Sequence, residues 1–263
     1  MKKATIYSIV LAVIIILGYL GSFLILPPAS WTGDPSAFHW TLANSVLYTL
    51  LHIGAAVLFL VGVGAYKATL RTAYIQIAIG VILAGAGLAQ VVILNIFNLI
   101  QTPWVQDGGV MIPFVLAGVM IYLGTRAMAK LVNVRSIFTN IWVVSSLTAL
   151  AVVLVSLVPH GSSSLPETFF DISNAISVGD IVLYLVSLIL VLQIKRHSGV
   201  YYTESMAWLS LGLMGSVVIT TSILLGTLIT GNVPAGYLLD VFVIIGGLVY
   251  LKAGQSFAKT KEL

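Results

Sequence analysis

Eight apolar runs, each about long enough to cross a lipid bilayer, occupy most of this 263-residue chain. A transmembrane helix needs about 20 predominantly apolar residues, and only short polar stretches separate the runs. They cover residues 4–26, 42–66, 75–101, 110–125, 137–158, 172–194, 207–230 and 235–251. The succession predicts an all-α polytopic membrane protein with eight transmembrane helices. It leaves no stretch long enough for a sizeable soluble domain.

The composition agrees with this class and removes several kinds of chemistry. The chain is 59% hydrophobic and 8% charged, with a mean hydropathy of +1.10, whereas about a quarter of the residues in a soluble domain are charged. It contains no cysteine, which excludes disulfides, thiolate metal sites, iron–sulfur clusters and cysteine nucleophiles. No HExxH, GxSxG or phosphate-loop motif is present. The sequence therefore gives no support for an enzymatic activity of the chain alone.

The basic residues predict the orientation of the helices. If the N-terminus is cytoplasmic and the chain crosses eight times, every basic side chain lies on the cytoplasmic side, as the positive-inside rule expects. These residues are Lys2, Lys3, Lys67, Arg71, Arg126, Lys130, Arg135, Lys195, Arg196, Lys252, Lys259 and Lys261. The pI near 9.3 is thus explained without a nucleic-acid partner. We expect a cell-membrane protein with both termini in the cytoplasm.

A shift of 128 positions aligns two parts of the chain. It places His52 on Asp180 and Lys67 on Lys195, and it also places residues 110–123 on residues 238–251 with five identities. One shift that serves two separate helix pairs predicts an internal duplication. The predicted units are two four-helix repeats, residues 1–131 and 132–263. Because each unit has an even number of helices, the two are parallel, and their axis of symmetry runs along the membrane normal.

Five polar residues are candidates for binding a ligand or a proton in the outer half of the membrane: His52, Asp180, Asp240, Asn95 and Asn98. Ionisable groups inside a bilayer are costly and usually face a protein interior or a water-filled cavity. Plainer interpretations remain open. A neutral His52 can bond a backbone carbonyl, Asp240 can lie shallow at a helix start, and the asparagines can join helices through hydrogen bonds.

The histidine count limits the cofactors. A membrane b-type cytochrome holds its haem with axial ligands, typically paired histidines, but only His52 is predicted inside the bilayer. Two intramembrane haems are therefore excluded. One haem, held by His52 and a methionine or by an outer histidine (His39 or His160) near the surface, is the weaker alternative to a quinone. No covalently bound cofactor and no metal site is predicted.

An eight-helix chain built from two four-helix units, with a polar site near its outer face, resembles the membrane anchors of polysulfide-reductase-like respiratory complexes. The resemblance rests on helix count and duplication, so it assigns no role to any residue. It implies a subunit that binds quinone and passes electrons to partner proteins. We therefore predict an integral membrane subunit of a multi-subunit electron-transfer complex, with the bilayer and other membrane or membrane-attached subunits as its partners. Two alternatives stay open: a membrane sensor that signals to a separate cytoplasmic protein, and a proton- or cation-coupled carrier of a small solute.

Overall fold

All the regular secondary structure in the described part of the chain is helical. The computed structural model describes residues 49–61, 68–97, 102, 109–159, 167–197, 203–230 and 237–259. Within these ranges lie seven α-helices: α1 (Thr49–Val61), α2 (Ala68–Ile96), α3 (Ile112–Leu131), α4 (Ile141–Ser156), α5 (Glu167–His197), α6 (Thr203–Thr230) and α7 (Tyr237–Lys259). The predicted helical class is confirmed. The first predicted span, residues 4–26, lies outside the described residues.

Helix length and surface both fit a membrane protein. Among the described residues, three helical stretches are long and apolar enough to cross a bilayer, namely Leu70–Gly87, Ile112–Leu131 and Asp171–His197. Large apolar side chains such as Leu50, Val61 and Leu157 are well over half exposed. A soluble protein rarely exposes apolar area so extensively, whereas lipid covers it without cost. The count of eight spans and their orientation stay predictions.

Several helices extend beyond the apolar runs that predicted them. The helix α2 begins at Ala68 although its run begins at residue 75, and α7 continues to Lys259 although its run ends at residue 251. The helix α5 begins at Glu167. Residues 159–171, which separate the fifth and sixth apolar runs, are predicted to form an outer loop, but residues 167–171 of this segment are helical. Hydropathy marks only the segment that lies in hydrocarbon. Backbone hydrogen bonds have no such limit and continue into the polar interface.

Small residues allow α2 and α3 to pack in direct backbone contact. A Cβ on Gly80 would lie 2.9 Å from the carbonyl oxygen of Ala117, and a Cβ on Gly124 would lie 2.8 Å from that of Ala73. Position 80 pairs with 117 while 73 pairs with 124, so the two helices are antiparallel. Close packing through small residues is typical of helix pairs in membranes, where dispersion contacts replace the hydrophobic effect.

The helix α3 ends in a Schellman motif at Asn133. This residue has φ of 56°, the left-handed conformation that asparagine tolerates better than most residues. The Val134 N–H donates to the Ala129 carbonyl at 2.9 Å, and the Asn133 N–H donates to the Lys130 carbonyl at 3.1 Å. These bonds satisfy carbonyls that the end of the helix would otherwise leave without donors.

Side chains of α3 also hold the link that follows it. The Arg126 Nε donates to the Thr139 carbonyl at 2.7 Å, and the Tyr122 hydroxyl donates to the Phe138 carbonyl at 3.1 Å. The link, residues 132–140, is therefore an ordered connection between α3 and α4. It lies where the two predicted repeats meet.

Six helices contact one another in a closed cycle. Consecutive members α2, α3, α5, α6 and α7 pack against each other, and α4 packs on α5. The helix α1 completes the cycle. Its Thr49 hydroxyl donates to the Gly85 carbonyl of α2 at 3.4 Å, and its Phe59 ring lies 5.1 Å from the Phe257 ring of α7. The inner faces of these helices carry the buried polar residues described next.

Candidate functional site

His52 lies on α1 at a point where both neighbouring helices carry glycine. Its side chain is 1% exposed. A Cβ on Gly85 of α2 would lie 2.8 Å from the His52 Cβ, and a Cβ on Gly247 of α7 would lie 3.4 Å from the His52 Cε1. A larger residue at Gly85 would occupy space that the histidine now uses, whereas a Cβ on Gly247 would be in ordinary contact with the ring and would crowd Leu51 at 3.1 Å. The imidazole is therefore enclosed between three helices.

A tyrosine and a serine extend the surroundings of this histidine. The Tyr250 ring of α7 lies 5.6 Å from the His52 ring, at an interplanar angle of 58°. Its hydroxyl lies 2.9 Å from the Ser216 Oγ of α6, which in turn donates to the Gly212 carbonyl at 3.1 Å. Because serine has one hydroxyl proton and this bond uses it, Tyr250 donates to Ser216. A Cβ on Gly212 would lie 2.8 Å from the tyrosine ring, so glycine is needed there as well.

Asp180 is buried against the backbone of a helix. Its side chain, on α5, is 4% exposed. A Cβ on Gly118 of α3 would lie only 2.6 Å from the Asp180 Oδ1, so the carboxyl occupies the space that the glycine leaves. No cationic side chain among the described residues influences this carboxyl. A carboxyl group without a cation in a membrane interior is costly, which singles it out as a functional candidate.

His52 and Asp180 lie at similar depths in the bundle. His52 is level with Gly85 of α2, and the antiparallel pairing of α2 with α3 places Gly118 within about two turns of Gly85. At a rise of 1.5 Å per residue, the two side chains are separated along the bundle axis by less than about 10 Å. The glycine contacts of His52 are with α2 and α7, whereas that of Asp180 is with α3. Convergence of the two on one cavity stays a prediction.

The buried face of α5 carries a row of polar side chains. All six are less than a tenth exposed: Ser173, Asn174, Ser177, Asp180, Tyr184 and Ser187. Five of them are spaced alternately by four and three residues, which places them on one face of a helix. The row was overlooked in the sequence, where only Asp180 was singled out. The signal that could have found it was this spacing within an apolar run.

The remaining predicted site residues are only partly located. Asp240 lies in the first turn of α7 and Asn95 lies near the end of α2, but the side chains of both are outside the described part of the structure, as is the whole of Asn98. Within the described residues, no group of three or more histidine, cysteine or acidic side chains is placed to hold a metal ion.

Comparison with known proteins adds no assignment. No protein-family model matches the chain, and neither the curated proteins nor the solved structures contain a match. The class of protein thus follows from the fold itself, a helical membrane protein with ionisable side chains buried inside its bundle.

Proposed function

We propose that the protein is an integral membrane subunit of an electron-transfer complex and that it contributes a quinone pocket to that complex. One observation carries the proposal: an imidazole and a carboxyl, His52 and Asp180, are both buried inside a largely apolar helix bundle, less than about 10 Å apart along its axis. A quinone takes up two electrons and two protons when it becomes a quinol. It therefore suits an apolar slot with a proton donor or acceptor at its head.

Each residue would have a distinct part in this pocket. His52 would bond one quinone carbonyl and exchange a proton with it. Its ring position is fixed by Gly85, Gly247 and Tyr250, and fixed geometry favours proton transfer. Asp180 would bring protons to the site. The electrons would come from a redox centre in a partner subunit.

We further propose that the chain has eight spans arranged as two four-helix repeats, 1–131 and 132–263, with both termini in the cytoplasm. The glycine contacts support the repeat. Gly118 lies against Asp180, and the same shift of 128 that relates Asp180 to His52 relates Gly118 to Gly246. The neighbouring residue, Gly247, lies against His52. A Cβ on Gly246 itself would meet nothing within 4 Å, so the support is that each half places a glycine of its fourth helix near the ionisable residue of the other, one position out of register.

Purification from the native membrane in mild detergent tests the function. We expect partner redox subunits and an extractable quinone to accompany the protein. His52→Ala and Asp180→Asn should each lower the bound quinone about tenfold. Ser210→Ala is the matched control, because the Ser210 hydroxyl bonds only its own helix at the Ala207 carbonyl. Recovery of the protein alone, without quinone, contradicts the proposal, and co-purification of a histidine kinase favours a sensor module.

A proton- or cation-coupled carrier is the second candidate, and the polar face of α5 favours it. Carriers bind their coupling ion through intramembrane carboxylates near the bilayer centre. Asp180 is a carboxylate of this kind and lies within the polar row on α5. The purified protein in liposomes that enclose a pH-sensitive dye distinguishes the two functions. Solute-driven proton uptake that Asp180→Asn abolishes and Ser210→Ala preserves would establish the carrier in place of the electron-transfer subunit.

A further inference from the structure

The polar row on α5 has an inside-out pattern. Its hydroxyl, amide and carboxyl groups all face the protein interior, while the opposite face presents Leu185 and Leu192, which are 41% and 48% exposed. In a bilayer the exposed face meets lipid. Polar groups placed at successive turns on the enclosed face are costly unless they have partners, so helix stability alone does not explain the row.

Two of these hydroxyls have no hydrogen-bond partner among the described residues. They belong to Ser173 and Ser187, which are 1% and 0% exposed. Other hydroxyls in the bundle have partners: Thr125 and Ser216 donate to carbonyls of their own helices, and Ser205 bonds the Ser256 hydroxyl. The hydroxyls of Ser173 and Ser187 instead mark the two ends of the polar row. A buried hydroxyl of this kind needs an internal water or a ligand.

The spacing of the row suits water. Neighbouring polar residues at intervals of three and four are about 5–6 Å apart on a helix face. A single water that bridges two polar groups separates them by two hydrogen bonds of about 2.8 Å each. Their sum matches the spacing of neighbouring residues in the row. Single waters can therefore connect Ser173 with Ser177 and Ser177 with Asp180, whose polar atoms lie close to Cβ. The bulkier Tyr184 lies between Asp180 and Ser187, and the whole row covers about 21 Å of helix.

The row is closed at one end. Beyond Ser187 the same buried face continues with Leu190, Val191 and Ile194, none of them more than 1% exposed. At the other end it approaches Asp171, which is exposed. The polar face thus reaches through about two thirds of the hydrocarbon thickness and stops at apolar side chains. A buried face that is polar toward the Glu167 end and apolar toward the other is the pattern expected of a path with one entrance rather than of a channel through the membrane.

The described part of α1 differs from α5 on the far side of its ionisable residue. Beyond His52 its buried face carries Ala55, Ala56 and Phe59, and Phe59 occupies the position that the shift of 128 pairs with Ser187. On the near side, Thr49 occupies the position paired with Ser177, and the residues before it lie outside the described part of the chain. Among the described residues, the extension of the polar row past the ionisable residue is therefore found on α5 and not on α1.

We propose that the buried face of α5 is a proton-access half-channel that connects the water at the Glu167 end of the helix to Asp180 and ends at Ser187. Protons move along bound waters to the Asp180 carboxylate, which becomes a carboxyl and passes the proton on. The inference deepens the proposed function, since it names the route by which protons reach the site. The assignment of its entrance to the outer side rests on the proposed topology.

Cysteine accessibility tests the half-channel directly, because the natural chain has no cysteine and each introduced thiol is the sole one. Ser177→Cys and Ser187→Cys are near-isosteric changes along the path. The full chain in native-lipid vesicles is exposed to Ag⁺, a thiol-reactive ion small enough for a path one water wide. Remaining thiols are then tagged with a polyethylene-glycol maleimide after unfolding. Leu185→Cys, on the lipid face, and Ile194→Cys, beyond the apolar end, are the matched controls.

We expect Ag⁺ added on the outer side to block Ser177→Cys and Ser187→Cys at least tenfold faster than the two controls. Blocking no faster than at Leu185→Cys, or blocking only from the side opposite the Glu167 end of α5, overturns the proposal. Since two path positions are tested, poor folding of one variant leaves the other decisive. The labelling needs neither a quinone nor a partner, so a protein purified without quinone refutes the proposed function and leaves the half-channel standing.

Discussion

At the scale of single residues, glycines decide how closely the ionisable side chains approach their neighbours. Gly118→Ala would place a Cβ 2.6 Å from the Asp180 Oδ1 and 3.3 Å from the Leu183 Cδ1. The carboxyl must then move or α3 and α5 must separate. Overpacking of this kind costs about 1–3 kcal/mol, and we expect a corresponding fall in the thermal midpoint measured in detergent.

Gly246→Ala is the control for that prediction. The shift of 128 pairs it with Gly118, and it is also buried, but a Cβ there meets nothing within 4 Å. We expect the thermal midpoint of Gly246→Ala to equal or exceed that of the natural protein, because alanine favours a helix over glycine. An equal fall in the thermal midpoint of both variants would mean that crowding of Asp180 at Gly118 does not cause the destabilisation.

The bond between Tyr250 and Ser216 gives a second prediction at this scale. Tyr250→Phe removes the hydroxyl but keeps the ring beside His52, so only the hydrogen bond is lost. Such a bond contributes about 0.5–1.5 kcal/mol. A double-mutant cycle with Ser216→Ala, followed by thermal unfolding, should show a coupling of that size. Additive effects of the two changes would contradict the bond.

At the scale of helices, the α2–α3 interface depends on backbone contact. Gly80→Ala would bring a Cβ to 2.9 Å from the Ala117 carbonyl oxygen, and a backbone atom cannot rotate away as a side chain can. The helices must separate, and contacts along both are lost. We expect a destabilisation of about 2–3 kcal/mol, measured by thermal unfolding in detergent.

Gly215→Ala on α6 serves as the reference for this interface, since it has open space around the same substitution. A midpoint for Gly80→Ala within a degree of that for Gly215→Ala would show that the α2–α3 contact is loose.

At the scale of the whole molecule, the charge distribution predicts the topology. Asn133→Cys lies in the link after α3, beside Lys130 and Arg135, and Ser163→Cys lies in the predicted outer loop. In intact cells, a membrane-impermeant maleimide should label Ser163→Cys and leave Asn133→Cys unlabelled until the cells are opened. The opposite pattern would reverse the orientation and place the entrance of the half-channel in the cytoplasm.

The amino-acid sequence by itself determined that this protein is helical and belongs in a membrane. Hydropathy is a local property, so an apolar run such as residues 172–194 predicts a transmembrane helix whatever the rest of the chain does. The candidates His52 and Asp180 were found for the same reason, since an ionisable residue is conspicuous in apolar sequence. Helix ends such as Glu167 and Lys259 were missed, because hydropathy follows the hydrocarbon and helical hydrogen bonding does not.

Tertiary structure alone decided which residues meet. Contacts such as Gly118 with Asp180, or Tyr250 with His52, join positions more than 60 residues apart, and no local pattern encodes them. In an apolar chain many pairings of helices bury similar areas, so the choice among them depends on where small residues allow close approach. The direction of the α5 polar face was decided in the same way. The spacing of the polar residues can be read from the sequence. Only the packing of α5 against α3 and α6 determines that this face points toward the protein interior rather than the lipid.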